Sequence, residues 1–266
     1  MQKNLKGATV ACMSKLKSRT LDQIEIDDER SFRHVGVYAD LAEVVRSSGY
    51  RFRVLPKGKG PRVQRALLLN LTFWDGQGGD VLVEDKLAAD VVTHVAWHHL
   101  GTKALGPAAT TPEGLILNES IASAFDVYLV GRLLGIAPRS SFLETQVPAM
   151  AEAAQDAGLS AERFDALLLR IARAPEKAFE DLRELLFDAT MELLACDGVD
   201  AAAAVLSRFD RHPFGALLHH YEVSNWILFC RAYGKKKSPA RALAVDRALR
   251  EAKDPVAWLC EHWLPL

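Results

Sequence analysis

A chain of 266 residues with 49% hydrophobic and 25% charged side chains has the make-up of a folded protein with one large domain or two small ones, and it is long enough to bury a real core. A formal net charge of −1 argues against a broad basic surface for nucleic acid, and the short cluster GKKKSPAR at 234–241 reads as a solvated turn. No apolar run reaches the ~18–20 residues of a membrane span, and the basic N-terminus lacks the apolar stretch of a secretory signal. Cys12, Cys196, Cys230 and Cys260 are too scattered for a metal finger, so reduced thiols in a cytoplasmic protein are expected.

In chain order, TLDQIEIDDE (20–29) alternates weakly, as a strand does, and HVGVYADLAEVVRSSG (34–49) spaces Val37, Leu41, Val44 and Val45 as one helical face that stops at Gly49. YRFRVLP (50–56) alternates like a half-buried strand. KGKGP breaks the chain, and QRALLLNLTFWD (64–75) is apolar on both faces, the pattern of a buried strand, before the turn GQGGD (76–80). One long apolar helix is expected over 81–100, capped by Asp80, with Glu84 and Asp85 near its start and Gly101 as its stop. After the loop GPAATTPEG (106–114), a second apolar helix is expected from Asn118 to Leu134. Beyond 140 the chain reads as helices at 143–157, 160–173, 175–195, 200–209, 214–233, 239–252 and 255–263, with Pro175, Pro239 and Pro255 in first turns and Ser238 and Asp254 as caps. The expected class is α+β: residues 1–135 with a small sheet and two long helices, then a helical part, 136–266, packed against them.

The chemistry concentrates in VVTHVAWHHLGTKALG (91–106). His94 and His98 are four residues apart, so they share a helical face and two imidazoles can close on one ion; His99 points about 100° away and drops out. A third ligand must come from another element, and Glu119 in GLILNESIASAFDVYLVG (114–131) is offered by the helix that folds back beside the first.

HVAWHHLG followed by LILNESIASAF resembles the gluzincin metallopeptidases, whose pattern is HExxH, a loop of about twenty residues and a helix beginning NExxA. His94 and His98 match the histidine ligands, and Asn118, Glu119 and Ala122 match the second segment. The resemblance covers roughly residues 65–131. It implies a zincin-like fold for 1–135, zinc as the metal, Glu119 as third ligand and a peptide or protein as partner. The chain departs from the pattern at Val95, where the family has the glutamate that takes a proton from the metal-bound water. General acid–base help of that kind is worth about 10²–10⁴-fold. The expectation is therefore a metal-binding protein related to metallopeptidases that has lost ordinary peptidase chemistry. Glu84 is too far from His94 to substitute, and Asp126, two turns beyond Glu119, is a candidate to hold a histidine tautomer.

RHPFGALLHHYEVSNWILFCRAYG (211–234) carries a second cluster. The resemblance implies an oxyanion stabiliser downstream, a role open to His219, His220 or Tyr221; the same stretch also reads as an amphipathic helix packing Leu217, Leu218, Trp226 and Phe229. Two other functions remain open. His94/His98, Glu119/Asp126, Asp188/Glu192 and His219/Glu222 on four facing helices would make a two-iron oxidative centre, although the usual Glu-x-x-His pairs are absent. A non-catalytic partner-binding protein is the other, recognisable by exposed aromatics among Trp97, Trp226, Trp258 and Trp263 near one groove.

Overall fold

Strand-like alternation is confined to the first ninety residues, and beyond them apolar side chains recur every three or four positions, which makes helices. The computed structural model, which describes residues 16–58, 61–70 and 79–264, is accordingly mostly helical with a few short strands. It runs β1 (Lys17–Arg19), a 3₁₀ turn (Leu21–Gln23), β2 (Glu25–Asp27), α1 (Glu29–Phe32), α2 (Tyr38–Ser47), β3 (Phe52–Val54), α3 (Arg62–Asn70), β4 (Val81–Leu82) and β5 (Lys86–Ala88). There follow α4 (Ala89–Leu105), a 3₁₀ segment (Gly106–Thr110), α5 (Pro112–Leu134), α6 (Ser141–Asp156), α7 (Ala161–Arg173), α8 (Pro175–Leu194) and α9 (Val199–Arg208). A 3₁₀ helix (Gly215–Tyr221), α10 (Val223–Tyr233), α11 (Ala240–Glu251) and α12 (Pro255–Trp263) complete the described chain. β3 pairs antiparallel with β1 and parallel with β4; β2 and β5 form a separate parallel pair that sets Ile26 beside Leu87.

α5 is the central post. It is apolar nearly all round, and such a helix must be enclosed on every side. α4, α6, α7, α8, α10 and α11 all pack against it. One hydrophobic core extends from Leu21 to Trp263 across the boundary at 135. A carboxylate stitches the two parts as well: Asp28, with φ 60°, accepts hydrogen bonds from the Ser140 hydroxyl and from the backbone N–H of Phe142 in the first turn of α6. No described helix is long and apolar enough to cross a membrane.

Four expectations need correction. The stretch 64–75 is not a buried strand: α3 occupies Arg62–Asn70, with Leu67 and Leu68 more than 60% exposed, and 71–75 lie outside the described residues, as do 76–78 of the expected turn. Arg, Gln, Ala and Leu are strong helix formers, and their propensity outweighs the two-faced apolar pattern. The first long helix begins at Ala89, not Val81, because Val81–Leu82 and Lys86–Ala88 find strand partners in β3 and β2. Asp80 accepts a 2.6 Å hydrogen bond from the Tyr50 hydroxyl instead of capping a helix.

That helix also passes through Gly101 and stops at Gly106, whose φ of 55° suits glycine. The second helix starts at Pro112, behind a Thr111 cap that accepts from Gly114 N–H at 3.1 Å, so Glu119 lies two turns in rather than in the first turn. Finally, 214–233 is not one helix. A 3₁₀ turn ends at Tyr221, Glu222 takes a left-handed conformation (φ 48°, ψ 43°), and Asn225 donates to the Glu222 carbonyl (2.8 Å) and carboxylate (2.6 Å), starting a new helix. The remaining C-terminal helices end within two residues of expectation.

Gly101 is a packing residue. A Cβ there would lie 2.2 Å from Asn118 Oδ1, so glycine lets α4 and α5 cross closely. Gly101→Ala is expected to lower the unfolding free energy by about 1–3 kcal/mol. In an Asn118→Ala background the same change should cost less. Urea denaturation of the four proteins in this cycle checks both, and additive effects would refute the contact.

Candidate metal centre

α4 presents His94 and His98 on successive turns of one face, and the α4–α5 crossing brings Glu119 opposite them. The two Nε2 atoms are 3.1 Å apart; Glu119 Oε2 is 3.2 Å from His98 Nε2, and Oε1 is 3.7 Å from His94 Nε2. Ligand atoms about 2.0–2.2 Å from a tetrahedral ion stand roughly 3.3 Å from one another, so this triangle has the dimensions of a three-ligand site. Protons alone satisfy it poorly. The Nε2 of His98 faces both another imidazole nitrogen and a carboxylate, and a neutral ring has one hydrogen to give. A cation among the three atoms engages every lone pair at once.

Asn118 and Glu119 divide the work. The Asn118 amide donates to the backbone carbonyl of His98 at 3.3 Å, tying α5 to α4, and Glu119 then faces the imidazoles. The His98 carbonyl also accepts from Thr102 Oγ1 at 2.8 Å. The imidazoles and carboxylate remain about a third exposed (31%, 35% and 31% for His94, His98 and Glu119), so they are enclosed by protein yet open to a cleft.

The electrostatics follow from that enclosure. Burial pushes His94 down, with the His98 charge adding to it, to about 4. Burial also works to lower His98, but the Glu119 carboxylate outweighs it and the pKa is raised. For Glu119, burial would raise the pKa, and His98, His94 and a hydrogen bond from Ser123 outweigh it, holding the carboxyl at about 2. Ser123 is a site residue the sequence reading missed, although its place four residues after Glu119 in NESIAS is the signal for it.

His98, Glu119, Asp126, Tyr221, Trp226 and Phe229 are among the residues lining one cleft of about 910 Å³. Among the expected oxyanion stabilisers, His220 and Tyr221 line this cleft, and the His220 ring meets the Tyr221 ring edge-on. His219 does not. It lines a separate cavity of about 860 Å³, because a 3₁₀ helix turns about 120° per residue and sends its neighbours different ways.

Asp126 has no hydrogen bond to either imidazole, so it does not fix a histidine tautomer. Seven residues beyond Glu119, roughly 10 Å along the helix, it is instead raised well above the usual carboxyl range, by burial first and then by Asp90 and Glu119. Asp90 stands one turn before His94 on α4 and was not singled out from sequence. Val95 is 6% exposed in the main core and brings no proton-transfer group to the cleft.

His99 lies outside the group, as expected. Asp188 pairs with Arg250 and Glu192 with Arg208, while Glu222 holds Asn225. Three of the carboxylates named for a two-metal centre are thus engaged elsewhere. Among the described residues, His94, His98 and Glu119 form the one converging group of three or more metal-ligand side chains. Glu84 sits exposed between β4 and β5. Trp97 and Trp263 are buried together, Trp258 stacks on His262, and Trp226 lines the cleft.

Comparison with known proteins finds no match among protein-family models, curated proteins or solved structures.

The centre makes metal-free stability pH-dependent. Unfolded, His94 protonates near 6.5; folded, only near 4, so acidification through that range favours the unfolded chain. The raised pKa of His98 gives stability already complete below 6.5, and the depressed pKa of Glu119 gives stability retained down to 4.5. Between those limits His94 is the member of the group that changes. Chelator-treated protein should therefore lose stability in urea between about pH 6.5 and about pH 4.5, and His94→Gln should lose less. An equal loss in both would refute the assignment.

Proposed function

We propose that this chain is a zincin-like metal-binding protein, with zinc held by His94, His98 and Glu119, and a relative of gluzincin metallopeptidases that no longer carries out ordinary peptide hydrolysis. The convergence of two imidazole nitrogens and a carboxylate at edges of 3.1, 3.2 and 3.7 Å carries this reading. The donor set supports it further: nitrogen and carboxylate ligands with an open side are the set of a zinc site that keeps a position for an exchangeable ligand. When bound, zinc supplies a Lewis acid that polarises that ligand.

The chain's own residues define the rest. Asn118 and Thr102 fix the backbone at His98, and the Ser123 hydroxyl orients Glu119. Tyr221 and His220 face the cleft over the centre. Val95 is buried apolar packing where the resembling enzymes place their general base, and nothing at that position accepts a proton. Binding and polarisation are retained, and the proton relay of a peptidase is not.

Elemental analysis of protein purified without chelator should find about one zinc per chain. His94→Ala and Glu119→Gln should each lose it, and His99→Ala should keep it. Absence of metal after zinc is added to the wild-type protein would overturn the reading, and iron in place of zinc would overturn the choice of metal.

A further inference from the structure

The cleft above the metal centre has a one-sided chemistry. Its walls include the carboxyl groups of Glu119, Asp126 and Glu222, and no lysine or arginine is among the described residues that line it. The basic side chains among those residues are the imidazoles of His98, which Glu119 engages, and His220, whose pKa burial lowers, so an anionic occupant would meet three carboxyl groups with little positive charge to answer it. Glu119 belongs to the metal centre and Glu222 holds Asn225. Asp126 is different: among the described residues nothing hydrogen-bonds or ion-pairs with it, and its charged neighbours, Asp90 and Glu119, are of its own sign. Burial and those neighbours push its carboxyl upward, as expected of a group whose compensating cation is missing.

The other wall is aromatic. Trp226, Phe229 and Tyr233 stand at i, i+3 and i+7 on α10, so one stripe of that helix faces the cleft, and Tyr221, close enough to Asp126 to feel its charge, lines it as well. Aromatic faces carry a negative quadrupole that attracts ammonium groups, the more so when water is excluded. At about 910 Å³ the cleft is within the roughly 300–1,000 Å³ of small-molecule sites.

We propose that this cleft binds a small organic cation, an aromatic or aliphatic body bearing an ammonium group that lies against Asp126 and the Tyr221–Trp226 wall. The inference rests on the zinc reading for the cleft's role as the site over the metal, but not for the binding of the cation itself.

The test uses the full chain and three probes of matched shape: phenylbutylammonium, phenylbutanol and phenylbutanoate. Calorimetry on the wild type should show the ammonium binding about tenfold tighter than the alcohol. In His94→Ala, where no metal can hold the carboxylate, that preference should persist and the carboxylate should bind weakest. In Asp126→Asn, the ammonium and alcohol affinities should fall within about twofold of each other. Retained alcohol binding in that variant reports an intact cleft, and Trp226→Ala should weaken both probes. Equal binding of all three probes, no binding of any, or an ammonium preference unchanged in Asp126→Asn would overturn the proposal. Zinc content measured on the same samples tests the metal centre separately, so either idea can fail without the other.

Discussion

Two apolar helices can approach closely only where side chains give way, and in this molecule that happens at Gly101 against Asn118. Glycine inside a helix costs about 0.8–1.0 kcal/mol relative to alanine, so its presence in the middle of α4 needs a compensating gain. The gain is the crossing itself. Where a Cβ would overlap the Asn118 amide, α5 comes near enough for that amide to bond the His98 carbonyl. Once Asn118 is fixed, the next residue, Glu119, faces two imidazoles that stand a helical turn apart on α4. The approach of Glu119 to the imidazoles thus depends on a side-chain-to-backbone contact one residue away. Gly114 and Gly131, towards the two ends of α5, make the same kind of close approach to the backbone of Ala108 and Ile171.

Buried charge in this fold takes two forms, and the contrast separates structural from functional groups. Arg183 is fully buried, yet its guanidinium meets Glu180 at 2.6 and 2.8 Å and Asp246 at 2.7 Å, and Arg250 extends the network to Asp188 and Glu184. Each member has an opposite partner, so the network fastens α8 to α11 without leaving a charge exposed to low dielectric. Along the α4–α5 seam the pattern is reversed. Asp90, His94 and His98 on α4 confront Glu119, Ser123 and Asp126 on α5, a surplus of carboxyl groups with no arginine or lysine among the residues that shift their pKa values. A seam like this is costly for a core to keep unless something positive completes it, and strongly perturbed groups of this kind concentrate at functional sites. The metal ion and the ammonium group proposed above are two answers to the same imbalance.

The histidine pair was legible in the sequence because it depends on periodicity alone, and Glu119 was implied by the gluzincin resemblance. Four residues separate His94 from His98, and the Pro/Gly/Thr-rich stretch after α4 allows the next helix to return. What was not legible depends on tertiary partners. Val81–Leu82 became a strand because β3 was available to pair with it, and no local signal reports that. Gly101 was read as a stop because glycine commonly ends helices, whereas here the facing helix needs the missing side chain. The two-faced apolar run at 64–70 satisfied both templates, and intrinsic propensity decided for helix. Glu222 broke a good helical pattern because Asn225 offered its carbonyl and carboxylate a local cap. None of these misses touches the faces of α4 and α5 that bring His94, His98 and Glu119 together. The strand read from that apolar pattern, ahead of the site helix, is absent at 64–70; the three-residue β5 precedes α4 instead.

Val95 draws these strands together. On α4, the position after His94 is rotated about 100° from the metal-facing side. In this chain that direction leads into the core beside Val92 and Ala96. Valine there adds to the packing of the site helix, and a carboxylate at the same place would be one more buried acid beside a seam already short of positive charge. In the proposed relation to metallopeptidases, the residue that stands in place of the general base is therefore the one that this packing favours. The His94–His98–Glu119 group stays partly open to solvent, and it shares its cleft with a carboxyl that has no partner among the described residues and with a wall of aromatic rings. On the proposed reading those features select what enters the cleft by charge and shape, and valine in place of a peptidase's general base turns the site toward recognition rather than peptide hydrolysis.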